Sequence, residues 1–311
     1  MKFSNIINVS LIYATFRAST PIIYAALCAA ITQQANILNI GTEGIMLMGA
    51  FTAVVVSYTT GSWVFGVLVA MLGGMFMAWI IAVGHIKYRA DNCAIGMGVN
   101  LLAIALTKYL LNALLGQQGS FSDPKIIGIP RIHISFLEKV PFLDEIFNDW
   151  CITEWLVIVL VVVVWFVFYK TVWGLRLRAV GKFELAAQTA GINVNSMKYQ
   201  AILIAGLIGG MAGAHLSLGY SNLFRENMTN NRGFMGIAAM NFGNANPIFT
   251  AIGCLIFGFS DSVGARVQAY GVPSQIVLLM PYIITILVLV ISLVSKKITE
   301  DKKKSSLSGE E

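Results

Sequence analysis

Few residues in this chain are able to do chemistry, and they are scattered. Its 311 residues include 21 Lys or Arg, 15 Asp or Glu, three histidines and four cysteines. His85, His133 and His215 lie far apart with no second ligand at metal spacing, so no metal site is expected. Cys28, Cys93, Cys151 and Cys254 follow no redox or zinc pattern and read as small core residues. No Ser/His/Asp or paired-carboxylate arrangement can be assembled with any specificity, and there is no G-x-x-x-x-G-K-[ST] phosphate loop. One acid stands out: Glu43 is the only charged residue between Arg17 and Lys87. A carboxylate in apolar surroundings is costly unless paired or wet. Glu43 therefore reads either as a group bordering a polar path or as a buried hydrogen-bond acceptor.

Glu43 belongs to Asn39-Ile-Gly-Thr-Glu-Gly44, which interrupts two apolar runs. A second interruption, Asn241-Phe-Gly-Asn-Ala-Asn-Pro247, also opens Asn, apolar, Gly. An opened helix in lipid exposes backbone N–H and C=O groups, and such breaks survive only where protein or a water-filled cavity satisfies them. Paired Gly-interrupted segments point to the pathway of a transporter. Asn39, Gly41, Glu43, Asn241, Asn244 and Asn246 are thus the candidate path residues, although the same side chains suit the capping of broken helices. Arg17, Lys108 and His215 are weaker candidates. Gly73, Gly74, Gly209, Gly210 and Gly213 read as packing faces between spans.

The elements that must position these residues follow from composition. Hydrophobic residues make up 57% of the chain and charged ones 12%, with a mean hydropathy of +0.75; a soluble domain carries about 25% charge. The runs Gly44 to Ile86, Tyr199 to Phe224, Gly233 to Ser260 and Val267 to Ser295 contain no Asp, Glu, Lys or Arg. A membrane barrel would instead show roughly ten-residue alternating segments. The expected fold is an all-α polytopic membrane protein, residues 1–311 as one domain, with about eight transmembrane segments, two of them broken or re-entrant.

Basic clusters at Lys87 and Arg89, at Lys170, Arg176, Arg178 and Lys182, and at Lys296, Lys297, Lys302, Lys303 and Lys304 should face the cytoplasm. The net charge of +6 is then a matter of orientation rather than of nucleic-acid binding. The connection 116–153 is acidic and fits the outside. The tail 296–311 is expected in the cytoplasm and the amino terminus outside, retained rather than cleaved as a signal peptide. Parity requires Phe234 to Asn241 to enter from outside, a turn at NFGNANP, and Pro247 to Ser260 to return before a final inward helix over Pro273 to Ser295.

The polar stretch 171–197 cannot span. Leu185, Ala186, Thr189 and Ala190 fit one helical face, Glu184 suits a helix start and Gly191 a left-handed cap. A short surface helix is expected there, either a docking element or a connector resting on headgroups. Glu184-Leu-Ala-Ala-Gln-Thr-Ala-Gly191, preceded by Gly174-Leu-Arg-Leu-Arg-Ala-Val-Gly181, resembles the coupling-helix region of permease subunits of bacterial ABC importers, in the family serving branched-chain amino acids, ribose-type sugars and nucleosides. NILNIGTEGIMLMGAF and FMGIAAMNFGNANP stand in that family's order, and NIGTEG looks most like the nucleoside-type permeases. The resemblance implies coupling residues Arg178, Gly181, Glu184, Ala186, Ala187 and Gly191. It also implies a cytoplasmic ATPase that binds ATP and Mg, a second permease (paralogue or self) and an extracytoplasmic solute-binding protein. No cofactor is expected in this chain. A ribose-type sugar permease and an ion-coupled secondary transporter with Glu43 as its ion site are the alternatives.

Overall fold

The computed structural model describes residues 9–133, 144, 146, 148–269 and 283. The final helix expected over Pro273 to Ser295 and the tail 296–311 lie outside the described residues, as do parts of the connection 116–153.

Ten helices account for most of the described chain: α1 (Val9–Gln33), α2 (Thr42–Thr60), α3 (Trp63–Ala82), α4 (Asn92–Leu115), α5 (Ile152–Lys170), α6 (Val172–Lys182), α7 (Glu184–Thr189), α8 (Val194–Ala214), α9 (Arg232–Phe242) and α10 (Pro247–Ala269). Short π-helical segments, Val83–Lys87 and His215–Ser221, continue α3 and α8. Among the described residues seven helices are long and apolar enough to cross a membrane. The multi-pass all-helical fold expected from the charge-free runs is the one observed.

Local signals set the ends. Gly61 (φ +66°) closes α2 and Gly116 (φ +63°) closes α4, both in the left-handed region that favours glycine. Asp91 caps α4 by accepting Ala94 N–H at 3.0 Å, and Asn193 caps α8 by accepting Ser196 N–H at 3.0 Å.

α1, α2 and α8 form the buried centre, while α3, α4 and α5 turn apolar faces outward. A bundle in lipid has no need to hide such faces; what it needs is close helix contact. Glycine provides it where α2, α3 and α8 meet. A Cβ at Gly74 would lie 2.6 Å from Gly210 Cα, and one at Gly213 would lie 2.9 Å from the carbonyl carbon of Gly49.

The bundle has a basic end, where Arg89 and Glu184 line one depression, and an opposite end carrying two short antiparallel ladders. These pair β1 (Ser120–Phe121) with β4 (Phe224–Arg225), and β2 (Arg131–Ile132) with β3 (Trp150–Cys151). Ser57 pins the intervening loop, its hydroxyl donating to Ile127 O at 2.8 Å and accepting Ile127 N–H at 3.1 Å.

The return arm is longer than the sequence suggests. Charge appears at Asp261, but α10 continues to Ala269 because the Asp261 carboxylate pairs with Arg232 at 3.0 Å. With 11 residues, α9 is about 16 Å long, too short to cross a hydrocarbon core that needs about 20 residues.

Candidate solute path and coupling surface

The first break, between α1 and α2, is held by side chains from three helices. Asn100 of α4 spans it, accepting Gly44 N–H at 2.7 Å and donating to Ile40 O at 3.0 Å. Asn39 is buried, its carbonyl accepting the Thr42 hydroxyl at 2.8 Å and its amide nitrogen 3.9 Å from Cys28 Sγ. Gly41 fits against Gly96, where an added Cβ would lie 3.5 Å from the Gly96 Cα.

Glu43 is 5% exposed. Its Oε1 accepts Asn231 N–H at 2.9 Å and its Oε2 accepts Gly233 N–H at 2.6 Å. The start of α9 has orphan N–H groups and a positive dipole end, both of which a carboxylate satisfies. Asn231 takes a left-handed conformation, φ +64°, and makes no side-chain cap hydrogen bond. An acid from a distant helix does that work instead.

The second break lies at the other end of α9, at the basic end of the bundle. Gln34 Nε2 donates to Ala245 O at 3.0 Å, and Asn246 Nδ2 lies 3.4 Å from the Tyr169 hydroxyl. Asn246 caps α10, its Oδ1 accepting Ile248 N–H at 3.1 Å. Asn241 and Asn244 are exposed, and Asn244 and Ala245 make the turn with φ of +49° and +56°. The six path candidates therefore form two groups, Asn39, Gly41 and Glu43 at the first break and Asn241, Asn244 and Asn246 at the basic end, and the half-helix α9, about 16 Å long, stands between Glu43 and the second group.

Of the weaker candidates, Lys108 pairs with Glu226 at 3.7 Å near the loop end. His215 is fully buried, with Nδ1 2.7 Å from Thr153 Oγ1. Arg17 lies over the Tyr220 ring at 4.7 Å.

At the basic end, α6 and α7 precede α8. Arg178 stacks its guanidinium 4.9 Å from the Tyr169 ring. Gly181 approaches the backbone of Gln34 so closely that a Cβ there would lie 3.1 Å from Asn36 N, so α6 sits on the chain that leads into the first break. Glu184 forms an ion pair with Lys198. Ala187 is the buried residue of α7; Phe183 and Leu185 are 61% and 66% exposed, and Ala186 is exposed beside them. The face drawn from Leu185, Ala186, Thr189 and Ala190 is thus the outward one: a six-residue helix needs one inward anchor, and Ala187 provides it. Gly191 has φ +78° and open space around its Cα. Depressions of about 620 and 610 Å³ flank this turn.

Sequence reasoning missed Asn100, Arg232 and Asp261. Asn100 carried a faint signal as a polar residue deep in an apolar run, but its partners lie 56 and 60 residues away.

The family model described as branched-chain amino acid transport system / permease component matches residues 11–289. A guanosine ABC transporter permease protein, NupQ of Bacillus subtilis, is 33% identical over 298 residues, 92% of this chain and 91% of its own. A nucleoside ABC transporter permease protein, NupC of Lactococcus lactis, is 34% identical, covering 88% and 89%. A putative glucose ABC transporter permease protein, TsgC13 of Haloferax volcanii, is 32% identical, covering 83% and 78%. Among solved structures, PsaBC from Streptococcus pneumoniae in complex with Fab aligns with a TM-score of 0.50 at 15% identity over 88% of this chain and 89% of that one, a likeness of fold. Matched across most of its length and carried on a multi-pass helical bundle, this chain belongs to the permease-component family of branched-chain amino acid transport systems.

Proposed function

We propose that this chain is the membrane subunit of an ATP-driven importer of nucleosides in the bacterial cytoplasmic membrane. The observation that carries the reading is identity of 33% and 34%, over about nine-tenths of the chain, to permeases whose names specify guanosine and nucleoside. The basic end with α6 and α7 faces the cytoplasm, as the excess of Lys and Arg favours. There the exposed Phe183, Leu185 and Ala186 offer an apolar docking surface to an ATPase subunit, which binds ATP and Mg. A second permease, a paralogue or a second copy, completes the path, and an extracytoplasmic solute-binding protein delivers the solute at the loop end.

Movement at the docking surface reaches the interior through contacts already described. α6 bears on Gln34 through Gly181, Gln34 opens the chain into the first break, and Glu43 in that break holds the start of α9. A displacement at α7 thereby acts on both breaks, the kind of rigid-element transmission that alternating access requires.

A sugar reading has in its favour the 32% identity to a putative glucose permease. The ion-coupled alternative would take as its ion site a carboxylate that already caps the start of α9, with each oxygen of Glu43 accepting a backbone N–H.

Extraction from the native membrane in mild detergent, with identification of what co-purifies, tests the proposal. An ATPase, a second permease and a binding protein loaded with a nucleoside support it; a binding protein loaded with a sugar transfers the chain to the sugar branch, and a chain that purifies alone contradicts it.

A further inference from the structure

Charged side chains that neither the breaks nor the docking surface use converge on one cavity of about 440 Å³, between α1, the π-helical end of α8, the start of α9 and the second half of α10. Arg17 donates through Nη2 to Tyr220 O at 3.0 Å while its guanidinium covers the Tyr220 ring. Arg232, whose backbone neighbours Asn231 and Gly233 are held by Glu43, pairs with Asp261 across the cavity wall. Arg266 adds a third guanidinium, donating to Ser10 Oγ at 2.8 Å.

Arg17, Asp261 and Arg266 all fall within helices apolar enough to span. Ionisable groups at such positions face a bundle interior or a watered cavity and mark solute pathways. A structural ion pair between α9 and α10 accounts for Arg232 and Asp261, but not for the rest of the wall. Ser262 is 6% exposed and lines the cavity, yet its Oγ has no hydrogen-bond partner, and Arg232 Nε is likewise buried without one. Buried polar atoms of this kind are ordinarily satisfied. Neither atom opens directly on the cavity, but three guanidinium groups, one carboxylate and the rings of Tyr13 and Tyr220 line it, a wall suited to a ligand with donors and acceptors of its own.

We propose that this cavity is a binding station on the translocation path and that it takes the base of a nucleoside, an inference that rests on the nucleoside reading above. The chemistry is that of a planar heteroaromatic ring with hydrogen-bonding edges. Guanidinium groups match the ring acceptors of a purine in a planar fork, and Asp261 accepts from ring N–H donors. The Arg17–Tyr220 stack and the Tyr13 ring, also in the wall, supply flat surfaces for stacking. A bare pentose has hydroxyls but no planar ring with acceptors and N–H donors along its edge.

The test uses the assembled importer with its binding protein in proteoliposomes and guanosine as the probe. Ala265→Cys, at an exposed residue of the cavity wall, is introduced together with Cys93→Ser, since Cys93 is the exposed native thiol. A membrane-impermeant methanethiosulfonate should label the new thiol, and guanosine should slow labelling at least fivefold while ribose does not. No labelling, equal labelling with and without guanosine, or protection by ribose or inorganic phosphate instead would overturn the assignment. In a second variant, Arg17→Ala should raise the half-saturating guanosine concentration at least tenfold with a smaller change in maximal rate; an unchanged half-saturation overturns it too. Failure of the nucleoside reading itself shows separately, as an unmodified importer that takes up no guanosine.

Discussion

Glu43 Oε2 lies 2.6 Å from the backbone nitrogen of Gly233, 190 residues further along the chain. The contact fastens the start of α9 to the start of α2. It makes the one acid of the long uncharged stretch a cap supplied from a distant helix. Each oxygen of this carboxylate accepts one amide N–H, so its charge is matched to the start of α9.

Truncation of Glu43 should therefore be read first in stability. Glu43→Ala leaves two buried N–H groups unpaired, at about 1–3 kcal/mol each, whereas Glu43→Gln keeps one acceptor and loses about half as much. Thermal unfolding of the detergent-purified importer should rank wild type above Gln above Ala. An unchanged midpoint in Glu43→Gln, with an altered dependence of uptake on a proton gradient, would instead favour ion coupling.

Gly233→Ala tests the same junction from the other side. A Cβ there would lie 2.6 Å from Glu43 Oε2 and 2.7 Å from Glu43 Cα and N. Part of the obstacle is backbone, so α9 has to shift, with an overpacking cost of about 1–3 kcal/mol. Expression and thermal midpoint should both fall, and neutral behaviour would mean that α9 is not seated against α2.

Asn100 offers a graded series at the first break. Asn100→Ala unpairs both Gly44 N–H and Ile40 C=O, at about 1–3 kcal/mol per buried group. Asn100→Asp keeps the acceptor for Gly44 and loses the donor to Ile40, and it adds a charge that is 8% exposed in the native residue's place. Both variants should lower the unfolding midpoint; if neither does, the break is held by something other than this clamp.

The docking surface should separate assembly from folding. Phe183→Asp and Leu185→Asp alter side chains that are 61% and 66% exposed, so the subunit should keep its thermal midpoint within the roughly 0.5 kcal/mol typical of surface changes while losing co-purification of the ATPase. Glu184→Gln removes a surface ion pair with Lys198, worth at most about 1 kcal/mol, and should leave assembly intact. Gly191 is a poor probe of docking, because any side chain there is strained by φ +78° whether or not it meets a partner.

Much of this was legible in the sequence because a membrane imposes one simple rule, that each crossing is a long apolar run and charge collects at its ends. The left-handed Gly191 follows from local composition and backbone preference. The Glu43 contact was half legible. Its burial and its polar need could be read from its surroundings, but not its partner, since the Asn231 and Gly233 amides are backbone groups shared by every residue type. The pairing of Arg232 with Asp261, and the clamp at Asn100, depend on which helices stand side by side, and periodicity within one helix carries no record of that. The turn Asn241 to Pro247 was found, but its level was not: its place at the basic end is set by Gln34 and Tyr169, from α1 and α5.

The most direct measurement is guanosine uptake into proteoliposomes containing the chain with its co-purifying permease, ATPase and binding protein. Uptake is compared with ATP enclosed and with ATP absent under an imposed proton or sodium gradient. We expect uptake only where the ATPase has access to ATP, lost on omission of the binding protein. Uptake that persists without ATP and follows the ion gradient would contradict the account.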